Sequence, residues 1–225
     1  MNFTYKIIYS RRKSVGIIVN SDKSVTVKAP YLTSENSIKR LLSSKSDWIE
    51  KHINNQSSRV LTSPREGYID GAKLLFKGRE YILSVVPSTT NQISVEDNII
   101  IAKVKSASEE KVKLQMDNWY KKQALETFKT RIDELVGLHR SFGFKPTALS
   151  VRQMKSRWGS CSRHGRITLN SELVKLDPKY TEYVILHELC HLKEMNHGKG
   201  FYDFLGKVCP DYRSLRLELR QFRLW

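Results

Sequence analysis

Residues 187–197 read His-Glu-Leu-Cys-His-Leu-Lys-Glu-Met-Asn-His, and no other stretch restricts the fold of this chain as strongly. On a helix, side chains four positions apart share a face, so His187 and His191 can approach one metal ion together. Glu188 follows His187 by about 100° of helical turn, which aims its carboxylate at a metal-bound water rather than at the metal. That is the mechanical content of His-Glu-x-x-His: two neutral imidazoles on zinc and a glutamate as general base. His197 lies six residues beyond His191, just before Gly198, where the chain can leave the helix and return a third ligand. The preceding run Tyr183-Val184-Ile185-Leu186 predicts that the helix is buried. Polar groups buried without partners are costly, so three imidazoles and a carboxylate there call for a shared one. The expectation is a catalytic Zn2+ site with His187, His191 and His197 as ligands, Glu188 as base and one position left open for water.

The remaining sequence narrows the class. A length of 225 residues leaves room for one large domain or two small ones, and a hydrophobic content of 40% supports a true core. No apolar run approaches the ~20 residues needed to span a bilayer. The first ten residues lack the long apolar region of a secretory leader. Cys161, Cys190 and Cys209 are odd in number and widely spaced, which argues against a disulfide framework and for a reducing, cytoplasmic compartment. Cys190 sits inside the motif but three residues from His187, and reads as a small packed side chain. The formal net charge is +16. Between Leu135 and Ser171 there are seven cations, Arg140, Lys145, Arg152, Lys155, Arg157, Arg163 and Arg166, and no acid. Such a run predicts a surface for an acidic partner or a nucleic acid, although no helix-turn-helix, zinc-finger or RNA-binding signature accompanies it.

Along the chain, alternation predicts strands in the first 30 residues (Phe3, Tyr5, Ile7 and Tyr9; Val15, Ile17 and Val19; Val25 and Val27), with a hairpin turn at 20–24. A helix begins at Thr33-Ser34-Glu35, with Ile38, Leu41, Leu42, Trp48, Ile49 and Ile53 in register, and a polar break follows at 54–59. Two hairpins are expected at 73–86 and 92–102. A long helix then carries Val112, Met116, Trp119, Tyr120, Leu125, Phe128, Ile132 and Leu135 toward an end near Gly137. Residues 147–170 are extended, and Asp177-Pro178 caps the motif helix. Two further helices run from about Gly200 to Val208 and from Tyr212 onward. The order of long helix, short sheet, His-Glu-x-x-His helix and third histidine is the layout of a small zinc peptidase, whose edge strand can accept an extended peptide.

The stretch RWGSCSRHGRITLNSELVKLDPKYTEYVILHELCHLKEMNHGKGFYDFL resembles the YgjP-like metallopeptidase family. RWGSC at 157–161, Ile167–Asn170, and HELCH followed by Asn196-His197 carry the likeness, and RRKSVGIIV at 11–19 and VKAP at 27–30 extend it over nearly the whole chain. The resemblance implies an α+β fold: an N-terminal β-rich subdomain with one helix (1–105) and a C-terminal, gluzincin-like minimal zincin domain (106–225). Carried over residue by residue, it implies His187, His191 and His197 as ligands and Glu188 as base. The spacing is also similar to that of crosslink-repair proteases of the SprT and WLM types. The metzincin class is set aside, because Glu194 stands where that class has glycine and no methionine follows Met195 for a Met-turn.

The expected function is hydrolysis of peptide bonds in a protein or peptide substrate. The alternatives are a zinc-dependent nucleotide pyrophosphatase, for which no glycine-rich phosphate loop is present, a DNA-associated protease, and a non-enzymatic nucleic-acid adaptor with a structural zinc, in which last case an intact Glu188 would have no purpose. Around the motif, Arg157 and Trp158 are candidates to line the cleft. Glu172 and Glu194 are candidates to orient the imidazoles. Tyr183 and Tyr202 are read as core residues or oxyanion donors.

Overall fold

A computed structural model describes residues 3–20, 24–57, 60–61 and 67–223. The chain divides into two compact units, residues 1–59 and 60–225. The division expected between 105 and 106 falls inside the second unit, in the link between a strand and a helix. The fold is mixed α+β. No helix among the described residues is long and apolar enough to cross a membrane.

In the first unit, β1 (Tyr5–Ser10), β2 (Gly16–Val19) and β3 (Val25–Pro30) form a sheet in the order β1-β3-β2. β3 is parallel to β1 and antiparallel to β2. Asn20 N donates to Ser24 O across the β2–β3 connection, while positions 21–23 of the expected turn lie outside the described residues. The helical segment expected as one is two, α1 (Glu35–Ser44) and α2 (Ser46–Ser57). Ser34 caps α1 by accepting from Ser37 N. The break falls at Lys45, whose N–H is shared between Leu41 O and Leu42 O. α2 runs on through 54–57, so the expected polar break is helical there; 58–59 lie outside the described residues. Ile38, Leu42 and Ile49 pack with Val25, Val27 and Ala29 into a core of the unit's own.

The second unit opens with β4 (Val60–Leu61), then forms a four-stranded sheet from β5 (Lys73–Phe76), β6 (Arg79–Pro87), β7 (Gln92–Glu96) and β8 (Ile99–Val104), in the order β5-β6-β8-β7. Lys77 and Gly78 join β5 to β6 with φ of 50° and 78°, the primed turn that matches strand twist. A Cβ on Gly78 would lie 2.9 Å from the Asp177 backbone, so this tip packs against the start of the motif helix.

α3 (Glu109–Leu138) buries Val112, Met116, Tyr120, Ala124, Phe128, Ile132 and Leu135, a stripe of near four-residue spacing that faces the core. Leu125, expected in that stripe, is 46% exposed, and Ala124 takes its place. β9 (Ala148–Arg152), β10 (Gly159–Cys161) and β11 (Arg166–Asn170) form a second sheet in the order β10-β11-β9, which leaves β10 an edge. A 3-10 turn at Ser171–Lys175 leads into α4 (Pro178–Cys190), followed by α5 (Lys199–Val208) and α6 (Tyr212–Leu219). β12 (Phe222–Arg223) closes the unit by pairing parallel with β4.

Candidate active site

α4 is fixed at its start by Asp177, whose side chain accepts from Lys179 N at 3.0 Å, with Pro178 in the first turn. Ile185 and Leu189 are fully buried and Val184 and Leu186 nearly so, which anchors the helix on both sides of His187 and Glu188. The helix ends at Cys190, and His191 is its C-terminal cap, still in right-handed helical conformation. The four-residue relation between His187 and His191 therefore holds.

The three histidines converge. His187 Nε2 lies 3.0 Å from His197 Nε2, and one ring nitrogen from each of His187, His191 and His197 falls within 4.8 Å of the others. Below them sits Phe201 of α5, fully buried, with ring centroids 4.9, 4.6 and 4.8 Å from those of His187, His191 and His197. Sequence reasoning missed this plate, although Phe201 falls four residues after His197 at the opening of α5. His191 Nδ1 is 3.0 Å from the backbone oxygen of Glu194. A carbonyl only accepts, so Nδ1 carries the proton and Nε2 keeps its lone pair. The candidate orienting group is thus the main chain of Glu194, not its carboxylate. Glu172 has no part here: its carboxylate accepts from Lys175 Nζ at 2.9 Å and from Gln153 Nε2 at 3.4 Å.

The electrostatics suit ligation. Burial, then the neighbouring His191 and His197, push the His187 pKa down to about 3, so the ring is neutral across the physiological range. Its Nδ1 and Glu188 Oε2 are buried without a hydrogen-bond partner among the described residues. Two neutral ring nitrogens 3.0 Å apart must either share a proton or direct both lone pairs at one cation. The donor set, three imidazoles with no acid among them, fits a borderline metal such as zinc.

Glu188 is 4% exposed. Burial raises its pKa to about 8, against the pull of the Arg157 charge. It lies against edge strand β10, where a Cβ on Gly159 would come within 2.6 Å of its Oε1; only glycine leaves the carboxylate that room. The approach to β10 is held by Asn170, fully buried, whose Nδ2 donates to Met154 O at 2.8 Å and Arg157 O at 3.0 Å. Its Oδ1 accepts from Met154 N and Glu172 N. Asn170 thereby fixes the loop that delivers Arg157, Trp158 and Gly159.

The YgjP-like metallopeptidase domain matches residues 13–222. The chain belongs to the YgjP-like metallopeptidase family. Among solved structures it is similar to the metallopeptidase zymogens jannalysin of Methanocaldococcus jannaschii and abylysin of Pyrococcus abyssi. With jannalysin it shares 25% identity over 42% of this chain and 94% of that one, with a TM-score of 0.36. With abylysin it shares 21% over 44% and 99%, with a TM-score of 0.37. No curated protein matches.

In this YgjP-like metallopeptidase the other sequence candidates divide. Trp158 and Tyr183 line a cavity beside His187 and Glu188, and Tyr183 meets His187 edge-on at 6.0 Å. Tyr202 stacks on His197 at 6.2 Å and accepts from Arg216 at 3.2 Å. Cys190 is buried and outside the histidine cluster. The seven cations of the acid-free run are exposed, and none forms an ion pair among the described residues. Lys145 and Arg163 border a second cavity, of about 350 Å³, together with His191 and Lys193.

Proposed function

We propose that this chain is a zinc-dependent endopeptidase in which His187, His191 and His197 hold the metal and Glu188 is the general base. The observation that carries the reading is the convergence of three imidazoles beside a buried carboxylate oxygen that has no partner among the described residues, in a chain of a metallopeptidase family. When bound, zinc supplies Lewis acidity, polarising a peptide carbonyl and making water easier to deprotonate. The chain's own groups do the rest. The free edge of β10 takes an extended substrate by main-chain hydrogen bonds, in the manner of an added strand. Glu188 Oε2 accepts a proton from the water that attacks the carbonyl carbon, and a pKa near neutrality lets it return that proton to the amine leaving as the C–N bond breaks. Phe201 and the Glu194 carbonyl hold the imidazoles in place.

Metal analysis of the purified protein with parallel assays on an unfolded protein and on nucleoside triphosphates tests the proposal. His191→Ala is expected to lose most of its zinc. Glu188→Gln should keep zinc and fold but lose about 10²–10⁴-fold in peptide hydrolysis. Unchanged zinc in His191→Ala sinks the ligand assignment, and near wild-type turnover in zinc-loaded Glu188→Gln sinks the base. Hydrolysis of triphosphates without peptide cleavage would transfer the site to phosphoanhydride chemistry.

A further inference from the structure

A cavity of about 220 Å³ opens directly beside His187 and Glu188. That is smaller than the ~300 Å³ at which pockets for whole drug-sized ligands begin, so it suits one side chain or one chain end. Trp158, Val184 and Leu219 give it apolar walls, Tyr183 an amphipathic one, and Arg216 of α6 and Arg220, its C-terminal cap, its charge.

Among the described residues no carboxylate lies within ion-pair distance of either guanidinium. The acid of α6, Glu218, is engaged elsewhere, accepting from Lys179 Nζ at 2.7 Å and Tyr180 OH at 3.0 Å. Arg216 is held without being neutralised, its guanidinium 5.6 Å from the Tyr202 ring centroid and one Nη donating to the Tyr202 hydroxyl. Among the described residues the other four of its five N–H donors have no partner. Among the described residues Glu188 is the only acid that lines the cavity, and it is buried.

We propose that this cavity is a substrate subsite for a residue bearing a carboxylate, its stem against Val184 and Leu219 and its two oxygens on Arg216 and Arg220. A guanidinium fork pairs a carboxylate through two parallel hydrogen bonds, and both side chains, exposed at the rim, are open to such a partner. The carboxylate is either a Glu or Asp side chain next to the scissile bond or the substrate's own C-terminus. The proposal rests on the peptidase reading for the presence of a peptide, and deepens it by naming what that peptide carries.

The test separates the two. Calorimetric binding to zinc-loaded Glu188→Gln protein needs no turnover. Three hexapeptides serve as probes: one with a single Glu and an amidated C-terminus, the same with Gln, and the Gln peptide with a free C-terminus. At least one acid-bearing peptide should bind about tenfold or more tighter than the neutral one. Preference for the first assigns the carboxylate to a side chain, and preference for the third alone assigns it to the chain end. Added separately, Arg216→Gln and Arg220→Gln should each reduce the preference without weakening the neutral peptide. Arg220→Glu should invert it toward a Lys-bearing peptide. No acid preference, or one that survives both neutral substitutions, overturns the subsite. Acid preference without cleavage by the unmutated enzyme overturns the peptidase reading alone.

Discussion

Replacing Gly159 with alanine probes how closely the position of Glu188 is set. No positive φ is involved at this glycine, so the cost is steric. The new methyl would meet Glu188 Oε1 at 2.6 Å, Cγ at 2.9 Å and Cδ at 3.0 Å, where ordinary contact begins at 3.4 Å. Most of an ångström must be found. β10 cannot easily yield it, because Gly159 is paired with Leu169 of β11, which is fully buried. The carboxylate retreats instead. Misplacement on the 1 Å scale costs about 10²-fold in rate, and overpacking a buried site costs about 1–3 kcal/mol of stability. The expected result is a kcat about 10–100-fold lower with KM within about twofold. Zinc stoichiometry should stay the same, since the three atoms nearest the methyl all belong to Glu188 rather than to an imidazole, and Tm should fall by about 2–10 °C. Peptide kinetics, metal analysis and a thermal melt on the same preparation read all three. A wild-type kcat in folded, zinc-loaded Gly159→Ala protein would refute the reasoning, and loss of zinc in proportion to activity would show that the methyl acts through the ligands.

Three further substitutions have defined outcomes. Lys175→Met leaves Glu172 charged and buried without its ion-pair partner, and should cost about 3–5 kcal/mol in urea unfolding, most of it recovered when Glu172→Leu is added; additive losses in the double variant would contradict this. Asn170→Ala removes two donated and two accepted hydrogen bonds at a fully buried position, and should lower stability by about 2–3 kcal/mol; its kcat should fall as well, because the loop carrying Gly159 loosens, and an unchanged kcat would detach that loop from the site. Phe201→Ala empties the floor under the imidazoles, and should cost about 3–5 kcal/mol and weaken zinc binding in a chelator titration, so full zinc affinity in this variant would argue against the plate.

What the sequence made legible was the part governed by local periodicity. Four-residue spacing put His187 and His191 on one face, and Asp177-Pro178 marked the start of α4 because capping is written in adjacent residues. The apolar spacing of α3 likewise gave its buried stripe, except where Ala124 took the inward position expected of Leu125. The split at Lys45 was hidden because the apolar register of Ile38, Leu42 and Ile49 runs across it. The missed site features are long-range. Phe201 matters because α5 folds back under α4, Gly159 because β10 lies against Glu188, and Arg216 because α6 returns to Tyr202 and the cavity. Glu194 was singled out for a carboxylate, yet the group that reaches His191 is its carbonyl, an atom every residue has and no side-chain pattern encodes.

The pairing of β12 with β4 sets a hierarchy of anchorage. α4 buries nine residues, whereas α6 buries only Tyr212 and Leu219 and is followed by a two-residue strand held by the opening of the same unit. Segments with few buried groups open at lower free energy than those in the core. The wall that carries Arg216 and Arg220 is therefore expected to open at lower free energy than the helix bearing His187 and Glu188, its side-chain ties to α4 running through Glu218. On the proposed reading, the wall that selects the substrate is anchored by fewer buried groups than the helix that carries the base, and amides of α6 should exchange with solvent deuterium before those of α4.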